Sequence, residues 1–314
     1  MKLSQVIAQY VALKQSMGAR FHAEAVILKA FSKALGDPAI ADIEVDQVHA
    51  YVAGVGPVTR FWHRKHEALR GFYRFAIGRG YVACSPLPTV LPKPSKAFVP
   101  YIFSRDELQR LLDAAASNQN PRSKLQAHTL RTLLLLLYGA GLRISEALSL
   151  TLADVDLAAS LLTVRESKFY KTRLVPVGDR LTDALRIYAM KRQQLGHSQS
   201  TEAPFFVTRS GVSVTRQMAE RAFSRLRDRV DVHRYDGARY QPRLHDMRHS
   251  FAMHRLVSWY RQGADVQCLL PKLATYLGHI HVAATQHYLT MTPELLREAS
   301  ACFERYAMQG VDHD

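Results

Sequence analysis

At 314 residues and 47% hydrophobic, the chain is long enough for two units that each bury a core. Its 42 lysines and arginines against 27 acidic residues give +15 and a pI near 9.9, the balance of a protein that meets a polyanion, with nucleic acid ahead of an acidic membrane surface. Three scattered cysteines suggest neither a disulfide framework nor a zinc site, the longest aliphatic run (133–137) is far short of the roughly 20 residues a spanning helix needs, and the opening residues lack a signal peptide's apolar core, so a cytoplasmic protein is expected.

Residues 1–84 read as helices. Leu3, Val6, Ile7, Tyr10, Leu13 and Met17 recur at helical spacing, and Phe21, Val26, Ile27, Ala30, Phe31 and Leu35 repeat the pattern before Gly36-Asp37-Pro38 breaks it. A third helix is expected over residues 46–53. A fourth, after Pro57, sets Trp62, Leu69, Phe72, Tyr73 and Ala76 on one side, with Arg60, Arg64, Lys65, Arg70 and Arg74 largely elsewhere. That basic face is either an ordinary solvated surface or one that lies along phosphates. Pro86, Pro88, Pro92, Pro94 and Pro100 then forbid helix and central strand, so residues 85–100 read as an extended linker.

A second unit, residues 101–314, opens on a capping box, Ser104 to Glu107. The apolar stretch 130–138 is a buried helix, and Gly139 and Gly141 allow a tight turn that delivers Arg143 to the next helix start, where Glu146 can orient it. Residues 161–165 and 172–177 read as a hairpin and 204–207 as another short strand; from Thr215 a helix carries Arg216, Arg221, Arg225, Arg227 and Arg229 against a packed side of Met218, Ala222, Phe223 and Leu226. The fold class is therefore mainly α with a small antiparallel β-sheet.

Chemistry concentrates further on. His245 and Arg248 stand one helical turn apart, His279 follows Leu277-Gly278, and Thr285-Gln286-His287 leads to Tyr288. Two guanidinium forks, Arg143 and Arg248, suit the non-bridging oxygens of one phosphate and the charge that grows on them during displacement. Imidazoles move protons near neutrality, and a phenol of unperturbed pKa about 10 becomes a nucleophile when a base and cations assist it. This set suits phosphoryl transfer with a covalent phosphotyrosine. His249 and His254 invite a metal reading, but no glutamate lies between His245 and His249 as in a metallopeptidase, and an arginine-rich site disfavours a divalent cation. Packing roles are expected for both, with no metal and no cofactor.

The two arginine motifs, Leu277-Gly278-His279 and Thr285-Gln286-His287-Tyr288 resemble, in order and wording, the tyrosine recombinases of the phage integrase family, DNA site-specific recombinases. The resemblance spans roughly residues 100–300. It implies a two-domain C-shaped clamp on double-stranded DNA carrying specific recombination sites, with residues 1–84 as the DNA-clamping domain. The implied catalytic residues are Arg143, Lys168, His245, Arg248, His279 and Tyr288. Lys168 lies where the family keeps a hairpin lysine that protonates the leaving oxygen; its neighbours Ser167 and Phe169 replace the usual glycines, and Lys171 is its rival. The stretch from Arg248 to His279 is longer than is typical of the family. A C-terminal helix, 293–308, is expected to exchange between protomers of a homo-oligomer on DNA, a dimer per site and a tetramer in synapsis. An integrase, excisionase-type or transposase-type enzyme of a mobile element fits; a type IB-like topoisomerase, a purely DNA-binding relative and a metal-dependent nuclease are the alternatives.

Overall fold

The computed structural model describes residues 1–93, 99–117, 123–165, 172–238, 240–279, 281–286, 288 and 294–301. The chain divides into two units, Met1–Phe98 and Val99–Asp314.

Among the described residues of the first unit are four α-helices: α1 (Leu3–Ser16), α2 (His22–Leu35), α3 (Val45–Ala53) and α4 (Arg60–Gly78). Their apolar faces bring Leu3, Val6, Leu28, Phe31, Val48, Leu69, Phe72 and Tyr73 into one core. Leu69 is fully buried, so truncating it to alanine costs about 2–5 kcal/mol. Asp37, just past α2, ties two helices together: its carboxylate accepts from the Ser4 backbone N–H at 2.7 Å, the Ser4 hydroxyl at 2.8 Å and the Ser32 hydroxyl at 3.0 Å. On α4, Arg60, Arg64, Arg70 and Arg74 face solvent, whereas Lys65 donates to the Tyr51 carbonyl at 2.8 Å. The sequence pattern grouped Lys65 with the basic face; the structure ties it to the backbone. Residues 81–93 hold neither helix nor strand, and Tyr81, Val82 and Leu87 pack on the first core.

The second unit begins with α5 (Arg105–Ser117), capped as expected: the Ser104 N–H donates to Glu107 Oε2 at 2.8 Å and the Glu107 N–H to Ser104 Oγ at 3.2 Å. Next come α6 (Ala127–Gly139) and α7 (Ile144–Ser149), then β1 (Val155–Asp156), β2 (Leu161–Val164) and β3 (Arg173–Pro176). The helices α8 (Asp179–Gln194), α9 (Arg216–Arg229), α10 (Leu244–Arg261), α11 (Val266–Leu277) and α12 (Ala283–Gln286) follow, and residues 294–301 are helical. The sheet is antiparallel in the order β1-β2-β3, with Leu162 opposite Val175 and Val164 opposite Arg173. Alternation then puts Arg173 on the same face as the fully buried Val175, which turns its guanidinium inward.

Residues 204–207, expected as a strand, form only isolated bridges, Thr151 with Pro204 and Val207 with Ser213. Pro204 has no N–H to give a ladder, and Phe205 and Phe206 are both buried, which a half-buried strand cannot arrange for successive residues. α8 has no counterpart in the sequence reading. It is anchored by Tyr188 and by the buried Arg192, which donates to the carbonyls of Ser198 and, at 3.1 Å, Pro204. Among the described residues no helix is long and apolar enough to cross a membrane.

Candidate active site

Two glycines shape the floor of the site. Gly141, at φ +60°, follows α6; a side chain there would meet Phe251 at 2.5 Å. Gly278, at φ +69°, ends α11; a side chain there would meet the Arg173 guanidinium at 2.8 Å. Both positions therefore need glycine for conformation and for space. The tight turns they allow aim carbonyl oxygens inward. Arg248 Nη1 donates to Gly141 O at 2.7 Å and its Nη2 to Leu277 O at 2.5 Å, while Arg143 Nη2 donates to Gly278 O at 3.3 Å.

Glu146 is the hub of the charges. It sits in the first turn of α7, so its carboxylate accepts from the Arg143 backbone N–H at 3.0 Å and from Arg143 Nη1 at 2.7 Å. Arg173 arrives from β3 and grips the same carboxylate with two parallel bonds of 3.0 and 2.9 Å, its Nε donating to Tyr276 O at 3.1 Å. Arg248 Nη1 lies 3.9 Å from Glu146 Oε2. Burial by itself would raise the Glu146 pKa, but Arg173 and then Arg143 hold it down to about 2. Three guanidinium groups face one carboxylate, an excess of two positive charges. Arg248 is 2% exposed, and burial, then Arg143, push its pKa down to about 10, so it stays charged at neutral pH.

Tyr288 is brought to this cluster. Its side chain is 3% exposed, and its hydroxyl lies 3.1 Å from His249 Nδ1. Burial raises the phenol pKa, with the Arg248 charge and hydrogen bonding, then Arg143, opposing. His279 stacks on the Tyr288 ring at 6.2 Å and its Nδ1 is 2.7 Å from Thr285 Oγ1. Close packing, then Arg248, Arg143 and Arg173, push His279 down to about 4. His245 presents an accessible edge, yet its ring stands in a crowded concavity; that burial, then His249 and Arg248, push it down to about 4 against the opposing pull of Asp246. Both imidazoles are therefore neutral at pH 7 and offer hydrogen bonds without a full charge. An open cavity lined by Arg143, Ser145, Arg216, Arg243 and His245 gives the cluster its access to solvent.

Of the residues singled out in the sequence, Arg143, His245, Arg248, His279 and Tyr288 thus fall in one region, while Lys168 and Lys171 lie outside the described residues. Tyr276, near the end of α11, stacks on Phe251 and donates to the Pro176 carbonyl. His254 has the packing role expected of it, 2.9 Å from the Tyr138 hydroxyl. Two residues were missed. His249, expected to pack, touches Tyr288, and its spacing of four from His245 was the available signal. Arg173 gave a weaker signal, the inward parity of a strand position.

The sequence pattern of the phage integrase family matches residues 102–294. The chain belongs to that family, the tyrosine recombinases. It is a tyrosine-type DNA recombinase, similar over 246 residues (39% identity, 78% of each chain) to the putative integrase/recombinase y4rB of Sinorhizobium fredii. It is 34% identical over 95% of its length, and 94% of the relative's, to y4rE of the same organism, and 32% identical to tyrosine recombinase XerC of Chlorobaculum tepidum, covering 82% of this chain and 77% of the other. In fold, this recombinase is similar to the Tn1549 transposon integrase in complex with transposon right end DNA, with a TM-score of 0.72 at 17% identity over 98% of this chain and 100% of that one. It is also similar to lambda integrase in a dimer bound to a COC′ core site, with a TM-score of 0.65 at 17% identity, over 93% and 78% of the two chains.

Proposed function

We propose that this recombinase cuts and rejoins DNA strands at specific sites of a mobile element through a 3′-phosphotyrosyl intermediate. The observation that carries the reading is that buried Tyr288, set between His249 of α10 and His279, shares one cluster with Arg248 of the same helix and with Arg143, both arginines facing Glu146. Tyr288 oxygen attacks a backbone phosphorus, the bond to the 5′ oxygen breaks, and Lys168 gives that oxygen a proton. Arg143 and Arg248 answer the second negative charge that grows on the phosphate, and the excess of two positive charges matches it. His245 and His279, neutral at pH 7, hydrogen-bond the phosphate oxygens.

The covalent link conserves the energy of the ester, so a 5′ hydroxyl from a partner duplex reverses the step without ATP, and no metal or cofactor is assigned a part. The exposed arginines of α4 and α9 lie along DNA phosphates. Assembly is a dimer per site and a tetramer in synapsis; the relatives of known structure bound to DNA as a dimer and as a tetramer support that order. A nicked suicide duplex carrying candidate element ends, incubated with the protein, tests the reading: a denaturation-resistant protein–DNA adduct is expected, and its absence on every element end tried refutes it.

A further inference from the structure

Between His245 and His254, α10 carries His249, and the reaction just described gives it no part. His249 follows His245 by one turn on the same face, the two rings meeting edge to face at 4.8 Å. Its ring centre is 5.6 Å from that of Tyr288, and its Nδ1 is 3.1 Å from the phenol oxygen, within reach for proton transfer. The other imidazoles are placed for different work. His279 lies nearly parallel to the Tyr288 ring, 6.2 Å between centroids, with its Nδ1 on the Thr285 hydroxyl, and His245 faces the open cavity beside Arg143.

We infer that His249 is a catalytic residue, the base that takes the proton of the Tyr288 hydroxyl as the phenol oxygen attacks phosphorus. The inference rests on the reading of Tyr288 as nucleophile. In the tautomer protonated at Nε2, the lone pair of His249 Nδ1 accepts the hydrogen bond from Tyr288. The O–H bond breaks and its proton passes to Nδ1; the phenol oxygen's electron pair forms the new O–P bond; the P–O5′ bond breaks, its electrons go to the 5′ oxygen, and the general acid protonates that oxygen. When the partner strand attacks, the imidazolium returns its proton to the departing Tyr288 oxygen. Arg248 assists without competing, because a guanidinium beside the phenol stabilises the forming phenolate but has no lone pair for its proton.

The test is single-turnover adduct formation on a suicide duplex by the full chain. His249→Asn places an amide near the position of Nδ1, which keeps a hydrogen bond but cannot take a proton; His249→Ala leaves room for imidazole from solution. Both variants are expected to bind the duplex within about twofold of the parent and to form adduct about 10²-fold more slowly, with added imidazole restoring His249→Ala at least tenfold and leaving His249→Asn slow. An adduct rate within about threefold of the parent in either variant overturns the assignment, and so does a slow His249→Ala that imidazole fails to restore. If one variant does not fold, the other decides. Tyr288→Phe is run alongside: an adduct that persists there removes the nucleophile itself, a failure separate from any result at His249.

Discussion

On α4, Arg60, Arg64, Arg70 and Arg74 stand in water, and Arg70 has the exposed Glu67 as neighbour at 2.6 Å; around Glu146, the Arg173 and Arg248 side chains are 11% and 2% exposed. The residue type is shared, but the physics differs. An exposed guanidinium keeps its hydration and acts by charge alone, so its position tolerates change and its ion pairs contribute about 0–1 kcal/mol. A buried one is retained only because backbone carbonyls and a carboxylate replace its water, so its place is set by those partners. Counting arginines therefore indicates the kind of partner, and only the buried ones define a point in space at which chemistry can occur.

The largest expected effect removes the chemistry at that point. Tyr288→Phe should bind a suicide duplex as the parent does and yield no covalent adduct on a denaturing gel; residual adduct would move the nucleophile elsewhere. Glu146→Gln strips the buried arginines of their counter-charge, and thermal unfolding should show a loss of about 3–5 kcal/mol. The same pair of proteins carries a pH signature. The Glu146 carboxyl sits at about 2 in the folded protein against 4.5 ordinarily, so its contribution is fully present above about pH 4.5 and is lost as pH falls towards 2. The stability difference between parent and variant should therefore shrink across that window; a difference constant from pH 6 to 2.5 would mean that the carboxylate is not what holds the arginines.

Arg248→Lys keeps the charge and loses the fork, so single-turnover adduct formation should slow by about 10²–10³-fold with binding retained. A slowing of less than about threefold would place Arg248 with the exposed set, as a charge without required geometry. The smallest effects belong to α4. Arg64→Ala and Arg74→Ala should leave stability within about 0.5 kcal/mol and each lower the salt slope of DNA binding by about 1. Unchanged slopes would make that face an ordinary solvated surface.

Much of this was legible beforehand because the signals are local. Helical periodicity marked α1, α2, α4 and α9, a continuous apolar run marked α6, and the Ser104–Glu107 capping box is made as read. Of the two glycines read as a tight turn before Arg143, Gly141 takes positive φ and Gly139 closes α6. The misreadings arose where a distant part of the chain decides. The 204–207 segment has an apolar run but makes only single-residue bridges, and α8 is anchored through residues far from its own pattern, with the Tyr188 hydroxyl accepting from the Val207 N–H. His249 was weighed as a metal ligand or packing residue because its partner is remote in the chain, 39 residues on.

From residue order alone came the basic charge that selects a polyanionic partner, the mainly helical fold with its small sheet, and the identity of the side chains able to handle a phosphate. Those follow from composition, from periods of 3.6 and 2, and from pKa values that belong to each side chain by itself. The tertiary structure decided that Arg173 shares Glu146 with Arg143, that Arg248 is wrapped by the carbonyls of Gly141 and Leu277, and that Tyr288 rests on His249. Hydrogen bonds reach only about 3 Å, so which groups meet depends on how α7, β3, α10 and α11 pack, and that packing is set by buried shape throughout the unit.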